Sequence, residues 1–171
     1  MESVCFMEPY ATHQVPTITA AMRSGILWPE LPILELGCGH YSTPLLASVA
    51  KAQERKLHII TSDPIWAKHF EKDPYDLKVI DKSSWSTHRF PGEWGMVLID
   101  HEELVVHRFA QLFKLHQNAK VVVFHDANRI EELGISWGLI HALYRHVYFF
   151  DRYFPTTVIL SNFVDPSEWF N

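Results

Sequence analysis

Cysteine is nearly missing from this chain: there are two, Cys5 and Cys38, in 171 residues. Two thiols make no disulfide framework, and Cys38 stands between two glycines, a poor seat for a structural bridge, so a reducing, cytoplasmic setting is expected. Long apolar runs are missing as well, and none approaches the ~20 residues of a membrane-spanning helix. The segment 1–10 carries Glu2 and Glu8 and no cationic stretch, so it does not read as a secretory leader. Basic clusters are absent. Fifteen Lys and Arg stand against 20 Asp and Glu, a formal charge of −5, which argues against a phosphate backbone as the main partner. No repeat, low-complexity tract or Pro/Gly/Ser-rich linker divides residues 1–171, so one domain is expected. What the chain does have is apolar material: 47% hydrophobic and 13% aromatic residues suffice for a core without covalent staples.

That material is patterned. Apolar residues recur at helical spacing over 17–26 (Ile18, Ala21, Met22, Ile26), over 45–55 (Leu46, Val49, Ala50) and over 102–116 (Val105, Phe109, Leu112, Phe113). A short helix is expected at 65–70 and a longer one at 130–144, and 83–91 reads as irregular. Between these lie short apolar runs at 33–36, 57–61, 77–80, 95–99 and 121–124, then two more at 146–150 and 156–160. The first five runs are continuous rather than alternating, which implies burial on both faces of a parallel sheet. Strands alternating with helices imply a doubly wound α/β fold. The last two runs lie too close together for a helical crossover and should pair antiparallel as a hairpin at the sheet edge. The expected architecture is Rossmann-like, a seven-stranded, mostly parallel sheet with a C-terminal antiparallel hairpin.

The most informative segment runs from Ile33 to Thr43. A strand, Ile33-Leu34-Glu35-Leu36, stops at Gly37-Cys38-Gly39, and a helix start follows, with Ser42 or Thr43 placed to cap it and Pro44 suited to a first turn. Glycines let backbone approach a ligand closely, and a helix start offers unpaired N–H groups, so a nucleotide-like ligand is expected here. The dinucleotide fingerprint Gly-x-Gly-x-x-Gly/Ala fits poorly, because Ser42 takes its last position and Glu35 sits inside the strand. The segment instead resembles motif I of the class I S-adenosylmethionine-dependent methyltransferases, Glu/Asp-x-Gly-x-Gly-x-Gly. Glu35, Gly37 and Gly39 match, and Tyr41 replaces the third glycine.

The resemblance implies S-adenosyl-L-methionine as cofactor, with contacts from Glu35, Gly37, Cys38, Gly39 and Tyr41. It implies that Asp63, after the second strand, faces the ribose hydroxyls, a role that a carboxylate's two acceptors suit; the alternative is a turn residue before Pro64. It places Asp81, Ser83, Ser84 and Trp85 near adenine, Ser84 and Trp85 foremost, with Trp85 either stacking on the base or packing in the core. It implies the strand order 3-2-1-4-5-7-6 with the last strand antiparallel. It also implies an N-terminal helical segment, 1–30, folded over the cofactor, where His13 would close the site or remain a solvated polar residue.

In that order the ends of the fourth and fifth strands, Asp100-His101-Glu102 and His125-Asp126-Ala127-Asn128, converge beside the glycine turn, where open α/β sheets bind ligands. Asp100, His101, His125 and Asp126 are therefore the catalytic candidates, with Asp100 also near the cofactor; the alternative has Asp126 as a helix cap and His125 bonded to a buried carbonyl. Methyl transfer to a hydroxyl needs an aligned nucleophile and a base, for which His101, His125 or Asp100 could serve. Metal-dependent catechol-type methyltransferases carry an Asp after strand four and an Asp-Asn pair after strand five. Asp100 and Asp126 match that pattern, Ala127 replaces the Asn and Asn128 comes one residue late, so these two carboxylates are a metal pair if the enzyme uses one. The expected function is methyl transfer to oxygen or nitrogen of a small-molecule acceptor, with no nucleic acid or membrane as partner. A non-catalytic binding module, or an enzyme reusing the fold for aminopropyl transfer or metal-dependent hydroxylation, are the rivals. The chain has no Asn/Asp-Pro-Pro-Tyr motif, which argues against the amino-methyltransferases of DNA adenine and protein glutamine.

Overall fold

The computed structural model describes residues 13–70, 75–101, 105–132 and 136–170. Cys5 and the segment 1–12 lie outside the described residues, as does the expected start of a helix at Glu102.

The elements run α1 (Gln14–Leu27), β1 (Ile33–Leu36), α2 (Ser42–Ala52), β2 (Leu57–Thr61), α3 (Pro64–Ala67), β3 (Asp76–Val79), a 3₁₀ turn (Lys82–Ser86), β4 (Trp94–Ile99), α4 (Val105–Leu115), β5 (Ala119–Phe124), α5 (Arg129–Glu132), α6 (Trp137–Leu143), β6 (His146–Phe150), β7 (Thr157–Ser161) and a last 3₁₀ turn (Pro166–Trp169). The seven strands form one sheet in the order β3-β2-β1-β4-β5-β7-β6. β1 to β5 pair in parallel, and β7 is antiparallel to both β5 and β6. The C-terminal hairpin is therefore inserted with β7 against β5, and β6 forms the edge.

The continuous apolar runs divide strictly by pleat. Leu34, Leu36, Val97, Ile99, Val122, Phe124, Val158 and Leu160 pack on one face with Trp85, Phe109, Leu112, Leu115, Ile140 and Tyr144. Ile33, Ile59, Met96, Leu98, Val121, Val123 and Ile159 pack on the other with Ala20, Ala21, Leu46, Val49 and Ala50. Each strand must be apolar at every position because neither face meets water. The two edge strands are the exceptions: Asp76, Lys78 and Val79 of β3 and Phe149 of β6 are exposed, so the expected two-faced burial of the first strands stops at β2. The expected helix at 130–144 is two helices, Arg129–Glu132 and Trp137–Leu143, the second opening where the Ser136 hydroxyl accepts from the Gly138 N–H at 3.1 Å.

Helix α1 crosses the sheet rather than lying apart from it, touching α2, β4, β5 and β7. Its inward residues are small (Ala20, Ala21, Ser24, Gly25), which permits close approach. Buried Arg55 locks it down, donating to the carbonyl oxygens of Leu31 (2.7 Å) and Ala21 (3.1 Å) and to Ser24 Oγ (3.1 Å). Arginine's fixed fork of donors suits it to acceptors on the last turns of α1 and in the loop that follows. The consequence for function is positional: the N-terminus of α1, with His13, is carried to the carboxyl ends of β4 and β5. Among the described residues no helix is long and apolar enough to cross a membrane.

Candidate functional site

The site begins at the β1 turn. Gly37 has φ +95° and donates its N–H to Ile60 O at 2.8 Å. A Cβ there would stand 2.6 Å from Asp100 O and His101 Cα, so this glycine, which also lines the cleft, is required for the close passage of the β4 end. Gly39 differs: a Cβ would meet only Ser42 Oγ, at 3.3 Å, and otherwise face open space. Glu35 is fully buried and does not line the cleft that the turn borders. Ser42 Oγ donates to its Oε1 at 2.5 Å, Thr43 Oγ1 to its Oε2 at 2.9 Å, and Thr43 Oγ1 accepts from the Gly39 N–H at 3.1 Å. Ser42 and Thr43 are thus not caps but the first helical residues, their hydroxyls turned to Glu35, and Tyr41 holds the cap position without a side-chain capping bond to the helix. Glu35, expected at the cofactor, is instead the clamp beneath the turn. Burial raises its carboxyl to about 8, against the pull of the two hydroxyl bonds, so it is mostly protonated at neutral pH.

At the β2 end, Asp63 caps α3, its Oδ1 accepting from the N–H groups of Ile65 (2.8 Å) and Trp66 (3.0 Å). Both the turn role and the cleft role expected of Asp63 are therefore available, since it also lines the cleft. Cys38 is a free, half-buried thiol whose pKa is raised by burial. Ser84 and Trp85 correct the expected adenine wall, because neither lines the cleft. Trp85 is completely buried and stacks on His101 with ring centroids 4.0 Å apart, while Asp81 caps the Lys82–Ser86 turn through the Ser83 N–H at 2.8 Å. Trp66 and His40, whose rings lie 4.5 Å apart, and Lys82 line the cleft in their place.

Three of the four strand-end candidates come together with Arg108 of α4 and with His13, which immediately precedes α1. Arg108 of α4 is buried, with Nη1 2.9 Å from Asp126 Oδ2 and 3.5 Å from Asp100 Oδ1, and its Nε donates to His101 O. His125 Nδ1 pairs with Thr157 Oγ1 at 3.0 Å, and its ring centroid lies 4.5 Å from that of His13. His13 Nε2 is 3.9 Å from Asp100 Oδ2. Burial lowers both imidazoles to about 4, so both are neutral at pH 7. Asp126 sits at φ +56°, a left-handed conformation that Asp tolerates better than most residues.

His101 corrects the expectation of a third base. It is 1% exposed, its ring is covered by Trp85, and burial followed by the nearby Arg108 presses it to about 3. The expected Asp100–Asp126 metal pair has the Arg108 guanidinium between its carboxylates, Nη1 standing 2.9 Å from Asp126 Oδ2 and 3.5 Å from Asp100 Oδ1. Sequence reasoning missed Arg108, although its spacing to Leu112 and Leu115 marked a charge on an apolar helix face. It also missed Trp66, His40, Lys82 and Arg129, for which no local signal existed. His13 is buried, so its solvated alternative is excluded.

These groups border one cleft of about 790 Å³ at the carboxyl ends of β1, β2, β4 and β5, within the range of small-molecule sites. Gly37, Cys38, Gly39, Tyr41 and Asp63 line it on one side, and His13, Asp100, Arg108, His125 and Asp126 on the other.

No family model and no curated protein matches the chain. Solved structures do. Cofactor-bound Rv0187 from MTB is similar at TM-score 0.55 and 14% identity, over 96% of this chain and 84% of that one. Human methyltransferase-like protein 13 in complex with SAH is similar at TM-score 0.55 and 12% identity, over 90% and 82%. The 23S rRNA methyltransferase ErmE is similar at TM-score 0.52 and 18% identity, over 88% and 69%. With the strand order 3-2-1-4-5-7-6, these likenesses define the class: the chain has the α/β fold of the class I S-adenosylmethionine-dependent methyltransferases.

Proposed function

We propose that the chain is an S-adenosylmethionine-dependent methyltransferase acting on oxygen or nitrogen of a small acceptor. The observation that carries this reading is one cleft whose lining joins a glycine turn and the Asp63 carboxylate to the strand-end acids Asp100 and Asp126 and the neutral imidazole of His125.

The residues fit the cofactor. The Cβ position at Gly39 faces open cleft, leaving room for a ligand against the backbone. Asp63 spends Oδ1 on its helix cap, and no hydrogen bond to Oδ2 is found among the described residues, so that oxygen serves a ribose hydroxyl. Trp66 supplies an aromatic wall for the adenine in place of Trp85. Bound there, the cofactor supplies an electrophilic methyl group on a sulfonium. On the far side, Thr157 orients His125. With Nδ1–H donating to Thr157 Oγ1, Nε2 carries the lone pair and takes the proton that the acceptor loses. Asp100, held by Arg108, positions the acceptor, and α1 covers the site through His13. ErmE acts on 23S rRNA, but the net charge of −5 and the absence of a basic run favour a small acceptor here.

Calorimetric titration with S-adenosylhomocysteine, S-adenosylmethionine and NAD tests the reading. One S-adenosylhomocysteine per chain is expected, lost in Gly39→Val. Binding of NAD alone, or full affinity in a folded Gly39→Val, would overturn it.

A further inference from the structure

We propose that His13, Asp100 and His125 together form a binding site for one divalent first-row transition-metal ion, with zinc the natural probe. A ligand atom from each residue lies within 4.8 Å of the other two, and the His13 Nε2 to Asp100 Oδ2 separation is 3.9 Å. Around an ion with bonds of ~2.0–2.2 Å, tetrahedral ligand atoms stand roughly 3.3 Å apart, so modest side-chain rotations close the set.

The second observation is independent of that clustering. His13 is 5% exposed, and neither of its ring nitrogens has a hydrogen-bond partner among the described residues. Buried polar atoms are almost always satisfied, and an imidazole aimed at a carboxylate and a second imidazole is satisfied by a cation between them. The surroundings are those of a metal site's outer shell. Thr157 Oγ1 holds His125 Nδ1 at 3.0 Å and leaves Nε2 for the ion. Arg108 Nη1 stands 3.5 Å from Asp100 Oδ1, and Oδ2 is the oxygen that faces His13. Asp126 Oδ2 holds Arg108 Nη1 at 2.9 Å and offsets the guanidinium charge beside the ion, while its Oδ1 lies 3.6 Å from His125 Nε2.

Two imidazoles and one carboxylate select a borderline ion such as zinc, iron(II) or cobalt(II) over magnesium, which prefers oxygen alone. Three protein ligands leave coordination open toward the cleft. Resting here on the methyl-transfer reading, with the ion bound His125 Nε2 would be a ligand rather than the base, and an acceptor oxygen at the open position would be acidified by the ion instead.

The test titrates chelator-treated full chain with zinc chloride, without any methyl donor. One zinc per chain is expected, and His13→Asn, Asp100→Asn and His125→Asn should each weaken it about tenfold or more. His116→Gln and His141→Gln, outside the cleft lining, should change it by less than about threefold. In the wild-type chain cobalt(II) should give the strong visible bands of four- or five-coordination, which needs no variant to fold. Absent zinc binding, a weak six-coordinate cobalt spectrum, or equal losses in the His116 and His141 controls would overturn the proposal. S-adenosylhomocysteine titration is read separately: a chain that binds it but no zinc loses only the metal site, and one that binds zinc alone loses only the methyl-transfer reading.

Discussion

Replacing Glu35 with glutamine isolates a single buried proton. In the folded chain the carboxyl is raised from 4.5 to about 8, chiefly by burial. At ~1.4 kcal/mol per tenfold change in proton affinity, this amounts to ~5 kcal/mol of pH-dependent stability. The sign follows from where the proton is held. The native state keeps it to higher pH than the unfolded chain, so the contribution is complete below about pH 4.5, declines as pH rises, and is gone above about pH 8. Glutamine reproduces the protonated group: its carbonyl accepts from Thr43 Oγ1, and its amide donates to Ser42 Oγ, whose hydroxyl turns from donor to acceptor as it would toward the protonated acid. Urea unfolding of both proteins at pH 5, 6, 7, 8 and 9 gives the difference directly, because every other titrating group cancels. Glu35→Gln should match the wild type near pH 5 and exceed it by ~3–4 kcal/mol at pH 8. A difference constant to within ~0.5 kcal/mol across that range would refute the reasoning and make Glu35 an ordinary ionised carboxylate. The same variant should bind S-adenosylhomocysteine with nearly wild-type affinity at pH 7, since Glu35 shapes the turn from below and does not line the cleft.

Gly37→Ala should cost ~3 kcal/mol or more in thermal or urea unfolding, because its φ of +95° and a Cβ at 2.6 Å from the β4 backbone cannot both be relieved, whereas Gly39→Val should leave the unfolding midpoint near wild type. Asp63→Ala should lose ~1 kcal/mol of stability with the α3 cap and about tenfold in cofactor affinity, while Asp63→Ser, which keeps a capping oxygen, should lose the affinity alone in calorimetry. Arg108→Met should destabilise by ~3 kcal/mol in chemical unfolding by leaving Asp100 and Asp126 facing each other, and an Asp126→Asn second change should recover part of it. His13 and His125 fold with pKa values near 4, below the ordinary 6.5, so stability is full above pH 6.5 and falls as pH drops toward 4. His125→Asn should flatten that acid limb in a pH series of unfolding midpoints.

Sequence patterning by itself determined the order of strands and helices and the seven-stranded α/β class, because a strand buried on both faces must be apolar at every position and a helix must be apolar on one. The resemblance to motif I and the strand order it implies, rather than patterning, marked Glu35, Asp63, Asp100, His125 and Asp126 as chemically meaningful. What each one does was decided only in three dimensions. Glu35 lies on the α2 side of the sheet, within reach of Ser42 and Thr43, and so became a clamp rather than a ligand contact. Trp85 and His101 stack in the core, because the 3₁₀ turn at Lys82–Ser86 folds over the face that α4 packs against. Arg108 reaches both strand-end acids from α4, and His13 meets His125 because α1 crosses the sheet. Periodicity reports which face of its own element a residue takes. It does not report which distant side chain meets that face, and the charge and proton affinity of a buried group depend on that neighbour.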